Sequence, residues 1–456
     1  MTTPLEVSLA SIVGDAARVS TAPQVVNRLS RDFYWYSPVL RRQLDGKSAD
    51  VVVHPLNVTE VEQVLQYCYG HDIPVTARGA GTGNYGQAVP LHGGVLLDLS
   101  RMDQIESIRE DGVAVCQPGV RLGVLEGEAR KAGWELRCYP STVVKASVGG
   151  FLAGGSGGIG SVAHGGLRDF ATVRALDVVT MEESPRLIHH EGEAIHEILH
   201  AWGTNGIITR AWLALAPAVE WAQCTVAFDR FDQAFDFSER IAAGEEWEKR
   251  LVTTFEWPIP SFFTPVHTLV REGKALIFFM IAEEQRASLE KAAQSAGGEV
   301  TFSAPYAGLR TVPLLSDYTW NHTTLWAMKF DPEYTYLQCG FDAVTARSQF
   351  ALLKARFGDE FLFHLEFMKN GEGVVVPGSI PVVRFSTVER LNEMIDYCRE
   401  IGVTVANPHV NNVEGGGRYR SDNAQLLAKY KYDGKGLLNP GKMATFERQS
   451  AGVPLS

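Results

Sequence analysis

The sequence lacks three features that would place the protein in a membrane or outside the cytosol. Its six cysteines are scattered and none forms a CxxC pair, which favours reduced, buried thiols. No apolar run approaches the roughly 18 residues that a membrane span needs. The first residues contain no basic segment followed by an apolar one, so a secretory signal is not expected. These absences predict a cytoplasmic protein without a membrane span.

An excess of positive charge is also absent, because the formal net charge is -11. Binding to a phosphate backbone needs a basic surface, so nucleic acid is not expected as a partner. Internal repeats, heptads and long linkers are missing as well. The chain has 456 residues, which is more than one hydrophobic core supports, so two or three domains are expected.

What the sequence has in excess is glycine, and two stretches concentrate it. The first is Arg78–Asn84, which follows a predicted strand and contains Gly79, Gly81 and Gly83. A dinucleotide fingerprint needs a helix that opens directly from such a loop, and residues 84–90 are unsuited to start one. Two interpretations stay open. The loop is either a nest of backbone N–H groups that binds phosphate oxygens or a plain tight turn.

The second stretch is Ser147–Ser161, which has seven glycines among small and apolar residues. So many glycines would be an entropic burden in a plain linker, and flexible linkers lack interleaved residues such as Phe151 and Ile159. The stretch therefore predicts an ordered, buried loop whose backbone approaches a large flat ligand. The alternative is a buried packing loop between subdomains.

Together with other short motifs, the two glycine stretches carry a family resemblance. The motifs are Arg78–Thr82 with Asn84, Val89-Pro90, Asp98–Ser100, Pro118–Val120, Pro140-Ser141, Val148–Gly150, Gly157-Gly158, Gly165–Asp169, Gly206–Thr209 and Leu438–Lys442. In number, order and spacing they resemble the FAD-binding domain of the vanillyl-alcohol oxidase/p-cresol methylhydroxylase superfamily. Within that superfamily, the chain is most similar to the glycolate oxidase D-subunit-like and D-lactate dehydrogenase-like branch.

The resemblance implies a fold of the α+β class with a two-subdomain FAD-binding domain of the p-cresol methylhydroxylase type. A cap (substrate) domain of antiparallel sheet with helices would follow, and the C-terminus would return to the FAD-binding domain. The chain changes character near Ala218, where aromatic residues become dense, and becomes loop-like again from about Ile401. We therefore expect an FAD-binding domain over 1–217, a cap domain over 218–404 and a C-terminal return over 405–456.

The resemblance also implies which residues hold FAD. The first loop would cradle the pyrophosphate, and the second would line the flavin. Arg78 would either neutralise phosphate or brace the loop. The expected cofactor-binding residues are Arg78, Gly79, Ala80, Gly81, Thr82, Gly83, Asn84, Pro140, Ser141, Ser147, Gly149, Gly150, Ala153, Gly154, Gly157, Gly158, Gly160, Ser161, Gly206, Ile207, Ile208, Asn439 and Lys442.

Many relatives tether the flavin through a histidine in the first loop or a cysteine in the second, and both are missing here. The resemblance therefore implies non-covalent FAD, unless a cap-domain His or Tyr forms the tether. The implied activity is that of an oxidase or dehydrogenase acting on CH–OH groups of an aromatic or bulky alcohol or a 2-hydroxy acid. A flavin-carrying subunit of a multi-subunit dehydrogenase is the alternative, so a homodimer and a partner redox subunit both stay open.

Three clusters offer a proton acceptor for such a reaction. His322 ends an aromatic run that would form either a substrate wall or a packed strand. His364 and Glu366 would share one face of a strand, as acid/base groups or metal ligands. His409 and Asn411 precede the C-terminal return, and by position they are the first choice; a polar turn is the alternative.

No metal is expected in the site. D-2-hydroxy-acid dehydrogenases of the superfamily carry a metal-linked His-x-Gly-Asp-Gly-Asn-x-His stretch, and residues 364–371 depart from it. A simple 2-hydroxy acid is correspondingly less secure as the substrate. Four arginines could still clamp a carboxylate, with a surface role as the alternative. They are Arg310, Arg384, Arg418 and Arg420.

Overall fold

The computed structural model describes residues 4–416 and 423–452. Its first sheet contains β1 (Val19–Ser20), β2 (Val51–Val53), β3 (Val75–Arg78) and β4 (Val95–Asp98), in the order β1-β2-β4-β3. β2, β4 and β3 run parallel. Their apolar residues are buried on both faces, as continuous Val and Leu runs in parallel strands require.

A second, antiparallel sheet follows along the chain. Its strands are β5 (Ile105–Ile108), β6 (Val113–Cys116), β7 (Trp134–Leu136), β8 (Val173–Val179), β9 (Leu187–Glu191) and β10 (Ile207–Pro217). β10 lies at its centre and pairs with β6, β7 and β8. The two glycine stretches therefore belong to neighbouring sheets, one after β3 and the other between β7 and β8.

The rest of the chain forms an eight-stranded antiparallel sheet and a three-stranded one. The strands are β11 (Trp221–Phe228), β12 (Lys249–Phe255), β13 (Ala275–Ala282), β14 (Glu299–Pro305), β15 (Tyr334–Tyr336), β16 (Gln338–Gly340), β17 (Phe361–Leu362), β18 (His364–Lys369), β19 (Val375–Ser379), β20 (Val382–Arg384) and β21 (Thr404–Ala406). The small sheet is β15-β20-β17, and the others follow the order β14-β11-β13-β12-β18-β19-β16-β21.

Helices cover these sheets. They are α1 (Leu5–Val13), α2 (Pro23–Leu29), α3 (Pro38–Leu44), α4 (Val58–Gly70), α5 (Leu122–Lys131), α6 (Val148–Gly154), α7 (Ser161–His164), α8 (Phe231–Ala243), α9 (Arg286–Ser295), α10 (Asn321–Phe330), α11 (Ala346–Phe357), α12 (Val388–Glu400), α13 (Val413–Gly416), α14 (Asn423–Tyr432) and α15 (Ala444–Ser450). The predicted α+β class is confirmed, including the antiparallel sheet with helices in the second part. The predicted domain boundaries at 217 and 404 stay a prediction.

The C-terminal segment returns to the first sheet, as predicted. Leu438 forms a parallel bridge with Val75 at the start of β3. Val75 N–H donates to the Leu437 carbonyl and Asn439 N–H donates to the Val75 carbonyl, both at 2.8 Å. The loop-like interpretation of this region was wrong, because α14 forms there around a buried ion pair between Lys429 and Asp433 at 2.6 Å.

A buried cation fastens the large sheet to the second one. Arg250 of β12 is 2% exposed. It donates to Glu126 of α5 at 2.9 Å and to the Leu136 carbonyl at 3.0 Å. Separating the two sheets would leave the charge of Arg250 buried without a partner, which is strongly unfavourable. The contact therefore holds the two sheets in position.

Candidate functional site

A cavity of about 690 Å³ lies where the sheets meet. Its walls come from both glycine stretches, from the start of β10, from the segment that leads into α10, and from β18 and β19. The cavity is within the size range of small-molecule and cofactor sites. The two glycine stretches, which are separate in sequence, therefore meet at one site.

The first glycine loop wraps around its own arginine. Gly81 has a φ of +64°, and an added Cβ there would collide with the guanidinium of Arg78. That guanidinium donates to the Arg31 carbonyl at 2.7 Å. Burial lowers the pKa of Arg78, whereas the nearby carboxylates of Asp98 and Asp32 raise it. Arg78 thus braces the loop and also lines the cavity.

A serine joins the two glycine stretches. Ser147 Oγ accepts a hydrogen bond from Ala80 N–H at 3.2 Å. Gly79 leaves no room for a Cβ, because Ser147 Oγ and the backbone of Gly150 occupy that space. The absence of side chains at these glycines therefore lets one backbone approach the other.

The second stretch is a loop only in part, because its first half is helical. Residues 148–154 form α6, and Gly149 lies against Pro118, whose Cβ would be 2.5 Å from an added Cβ. Gly149 N–H donates to the Pro118 carbonyl at 2.8 Å. Glycine disfavours helices, but this contact and the packing of α6 on β10 outweigh its propensity.

Most of the predicted cofactor-binding residues line the cavity. They are Arg78, Gly79, Ala80, Gly81, Thr82, Gly83, Asn84, Pro140, Ser141, Ser147, Gly149, Gly150, Ala153, Gly154, Gly157, Gly206, Ile207 and Ile208. Gly158, Gly160 and Ser161 lie behind the wall. There Gly158 and Gly160 pack against the backbone of Tyr139 and Arg137, and Ser161 Oγ accepts from Gly158 N–H at 3.0 Å.

Asn439 and Lys442 also lie outside the lining. The Asn439 side-chain amide donates to the carbonyls of Gln87 and Trp202, both at 2.8 Å. Asn439 thus ties the C-terminal segment to two residues of the cavity wall. Lys442 is fully buried, and burial lowers its pKa to about 7 although the charge of Asp32 raises it.

Of the predicted catalytic residues, Glu366 and His322 line the cavity, and His364 lies directly behind Glu366. Burial lowers the pKa of His322 to about 4, and the positive charges of Lys329 and Lys145 add to the effect. His322 is therefore a neutral imidazole at pH 7. Both lysines line the cavity too.

The structure does not bring His409 and Asn411 to the cavity. His409 is buried, its Nδ1 lies 2.7 Å from Ser37 Oγ, and its Nε2 lies 2.9 Å from the Tyr336 carbonyl. Both ring nitrogens are thus used within the protein. Asn411 is half-buried and is not part of the cavity lining. The first choice by position was wrong about where these residues lie.

The proposed arginine clamp has no support from position. Arg384 pairs with Asp331 at 2.8 Å and with Glu333 at 2.6 Å. Arg310 is exposed, and neither Arg310 nor Arg384 lines the cavity. Arg418 and Arg420 lie outside the described residues.

Glu366 is the best-anchored polar group of the cavity. It is 2% exposed, and its carboxylate accepts from Thr253 Oγ1 at 2.6 Å and from Trp320 N–H at 2.7 Å. Its Oε1 also lies 2.8 Å from Nε2 of His364. Strand pairing explains this position, because Glu366 lies opposite Thr253 in the β12–β18 ladder.

The residues of the cavity wall that sequence reasoning missed include Asp32, His200 and Trp202. Burial raises the pKa of Asp32 to about 6, while Lys442 opposes the shift. His200 Nδ1 lies 3.0 Å from the Gly155 carbonyl, so that nitrogen carries the proton and Nε2 is left as an acceptor. None of these residues belongs to a recognisable motif.

Strained backbone also marks the cavity wall, and the sequence does not reveal it. His200, Trp202 and Trp320 all line the cavity and have φ values of 58°, 54° and 52°. Non-glycine residues seldom adopt this conformation, which costs on the order of 1–3 kcal/mol and clusters at functional sites.

Over residues 4–416 and 423–452, no group of three or more His, Cys, Asp and Glu residues could hold a metal ion. The same residues contain no helix that is long and apolar enough to cross a membrane.

Comparison with known proteins adds a domain match and several similar proteins to this geometry. Residues 49–184 match the model of a family described as "FAD binding domain". The chain is 30% identical to a D-lactate dehydrogenase of Archaeoglobus fulgidus, over 56% of this chain and 59% of the relative. It is also 30% identical to the glycolate oxidase subunit GlcD of Bacillus subtilis, over 42% of this chain and 43% of that one. The chain thus matches less than two thirds of the length of these curated relatives.

Solved structures show the fold alone. Two structures of alkyldihydroxyacetonephosphate synthase superimpose with TM-scores of 0.72 and 0.73 at 17% and 15% identity. They cover 96% and 97% of this chain and 86% of each of those chains. The fold therefore extends through both parts of the chain and beyond the domain that the family model matches.

Proposed function

From the FAD-binding domain that this chain contains over residues 49–184, we propose that the protein is an FAD-dependent oxidoreductase that oxidises a hydroxyl-bearing carbon. The observation on which this proposal depends is the single cavity that joins both glycine stretches to Glu366, a buried carboxylate with fixed hydrogen-bond donors. A cofactor-binding wall and a proton-accepting wall thus face the same space.

The residues present fit FAD. Gly79, Gly81 and Gly149 leave no room for a Cβ, so the backbone at these three positions is not covered by side chains of its own. Trp202 and Trp320 line the cavity, and each leaves its indole N–H without a partner among the described residues. The two glycine stretches would hold the cofactor through backbone N–H groups, with Gly206, Ile207 and Ile208 completing the wall.

The chain's own residues supply the proton chemistry. The carboxylate of Glu366 takes the proton of the substrate hydroxyl while the C–O bond becomes C=O and the carbon hydrogen leaves with its bonding electron pair. Bound FAD would supply the acceptor of that hydride and would later pass two electrons to oxygen or another acceptor. His200 and His322 are acceptors of hydrogen bonds in the same cavity and would orient the substrate.

The cavity favours a 2-hydroxy acid with a bulky or apolar body. Lys145 and Lys329 line it and lie close enough to His322 to lower the pKa of that imidazole. A carboxylate would find charge-assisted partners there. Trp320 and Trp326 provide apolar surface on the same wall. The names of the relatives, D-lactate dehydrogenase and glycolate oxidase subunit, support this substrate class.

Replacing Lys329 by Met tests the carboxylate contact. We expect the KM for a 2-hydroxy acid to rise about three- to tenfold with little change in kcat, because a charge-assisted hydrogen bond is worth about 1.5–3 kcal/mol and solvent weakens it at this exposed lysine. A neutral alcohol of the same shape should show no such change. Lys291→Met on α9, which is exposed and outside the cavity, is the matched control. An equal KM change for acid and alcohol would argue against the contact.

Non-covalent attachment of the flavin gives a second prediction. Neither glycine stretch contains a His or Cys. We therefore expect acid precipitation of the holoprotein to release all of the yellow colour into the supernatant. Colour that stays in the pellet would show a tether, and His200, His322 and Cys339 are then the first residues to test, because all three line the cavity.

A second candidate is a flavin-carrying subunit of a larger dehydrogenase. The observation that favours it is the similarity to a protein named as a subunit, glycolate oxidase subunit GlcD. The purified chain decides between the two. Flavin reduction by substrate in the chain alone supports a complete active site, and reduction only after a partner subunit is added supports the second candidate.

The basic test of the proposal is reconstitution with FAD. We expect the apoprotein to bind one FAD per chain, with a structured flavin absorption band and protection against thermal unfolding. A chain that stays colourless after refolding with excess FAD would contradict the proposed function.

A further inference from the structure

The ring nitrogens of His364 face only hydrogen-bond acceptors. Nδ1 lies 3.1 Å from the carbonyl oxygen of Ile380. Nε2 lies 2.8 Å from Oε1 of Glu366 and 3.3 Å from Oγ1 of Thr323. The Thr323 hydroxyl donates its own proton to the Tyr318 carbonyl at 2.6 Å, so its oxygen is left as an acceptor. The side chain of His364 is fully buried, so bulk water does not donate a hydrogen bond to either ring nitrogen.

These contacts determine how many protons His364 and Glu366 hold between them. A carbonyl oxygen can only accept, so Nδ1 must carry a proton. In a neutral imidazole Nε2 would then present a lone pair to the carboxylate oxygen of Glu366 at 2.8 Å, which is repulsive. One proton must therefore lie between Nε2 and Oε1, whichever of the two atoms holds it.

Two contacts favour the proton on the histidine. The carboxylate of Glu366 already accepts from Trp320 N–H and Thr253 Oγ1–H, and two donors stabilise its charged form. The ring of Phe255 stacks on His364 at 5.0 Å with an interplanar angle of 17°, an arrangement that also suits a cation. Phe255 and His364 lie opposite each other in the β12–β18 ladder, so the stack is built into the strand register.

We propose that His364 is a positioning residue that, protonated on both ring nitrogens, holds Glu366 as a carboxylate at the cavity wall for the proton of the substrate hydroxyl. The role of Glu366 toward a substrate rests on the proposed function. The protonation of His364 rests only on the contacts of the two side chains. When Glu366 takes the hydroxyl proton, the charge of His364 remains behind it in the protein. Because His364 does not touch the cavity, its effect reaches the substrate only through Glu366.

The test is ¹⁵N NMR of histidine-labelled, FAD-loaded protein at pH 7, with His364→Gln to assign the signal. We expect both ring nitrogens of His364 to resonate in the range of protonated imidazole nitrogens. In the Glu366→Gln variant one of them should lose its proton, because the negative charge is gone and the amide can donate. A neutral His364 in the unmodified protein, or a doubly protonated one in Glu366→Gln, would overturn the proposal.

The values of kcat and KM give a second test, because a merely structural role of His364 would not change kcat alone. His364→Gln should lower kcat about 10- to 100-fold with KM and FAD affinity nearly unchanged, since the amide keeps one donor to Glu366 but no charge. A kcat equal to that of the unmodified protein would contradict the positioning role. The NMR experiment needs no substrate, so its outcome is separate from a failure of the proposed oxidoreductase activity.

Discussion

Glu366→Gln is expected to lower the turnover of the oxidised substrate by about 10²- to 10⁴-fold, the usual contribution of a positioned general base. The amide has the same shape, but it cannot take the hydroxyl proton. The affinity for FAD should change little, because the residues that fit FAD lie on the glycine stretches and Glu366 lies on β18. Stopped-flow measurement of flavin reduction isolates this step from reoxidation.

A matched control for Glu366→Gln lies directly after the end of β12. Glu256 is a half-buried carboxylate that accepts from Phe363 N–H at 2.9 Å and pairs with Lys354 at 2.8 Å, outside the cavity. Glu256→Gln should cost some stability and leave the reduction rate unchanged. If Glu366→Gln reduces its flavin as fast as the unmodified protein, another group accepts the proton, and His322 and His200 become the candidates.

Gly149→Ala is expected to weaken FAD binding at least tenfold. The new Cβ would lie 2.5 Å from Cβ of Pro118, a rigid ring, so α6 must move away from it. Overpacking of this kind costs about 1–3 kcal/mol, and about 1.4 kcal/mol corresponds to a factor of ten in affinity. Because α6 forms part of the cavity wall, the displacement falls on the surface that would hold the cofactor. Titration of the apoprotein with FAD measures the change.

Gly127→Ala is the matched control for this substitution. Gly127 lies inside α5, and an added Cβ there meets nothing within 4 Å. It should leave FAD affinity unchanged and raise stability slightly, because alanine favours helices by about 1 kcal/mol over glycine. Equal FAD affinities for Gly149→Ala and the unmodified protein would show that the α6 wall does not bind the cofactor.

The first glycine loop could be read from the sequence because its chemistry resides in the backbone. Glycines that directly follow a buried strand, with no helix after them, indicate either a nest of exposed N–H groups or a tight turn, and this loop does line the cavity. α6 could not be read in this way. Its glycines argue against a helix, and the close contact of Gly149 with Pro118 that permits it involves residues 31 positions apart.

The residues proposed for catalysis show a second limit of sequence reasoning. His364 and Glu366 were recognised because two residues at a spacing of two share one face of a strand. His409 was preferred for its place in the chain, but its ring is engaged by Ser37 and Tyr336, which no local pattern connects to it. Asp32 and His200 reach the cavity only through tertiary packing and strained backbone, and neither leaves a trace in residue spacing.

Anaerobic reduction of the bound flavin tests the central claim most directly. FAD-loaded protein would be mixed, without oxygen, with a panel of 2-hydroxy acids and neutral aromatic alcohols while the flavin absorbance is followed. The account predicts that a 2-hydroxy acid with an apolar body bleaches the flavin, and that the rate falls at least 100-fold in Glu366→Gln. A flavin that stays oxidised with every hydroxyl compound, in the chain alone and with added partner subunits, would contradict it.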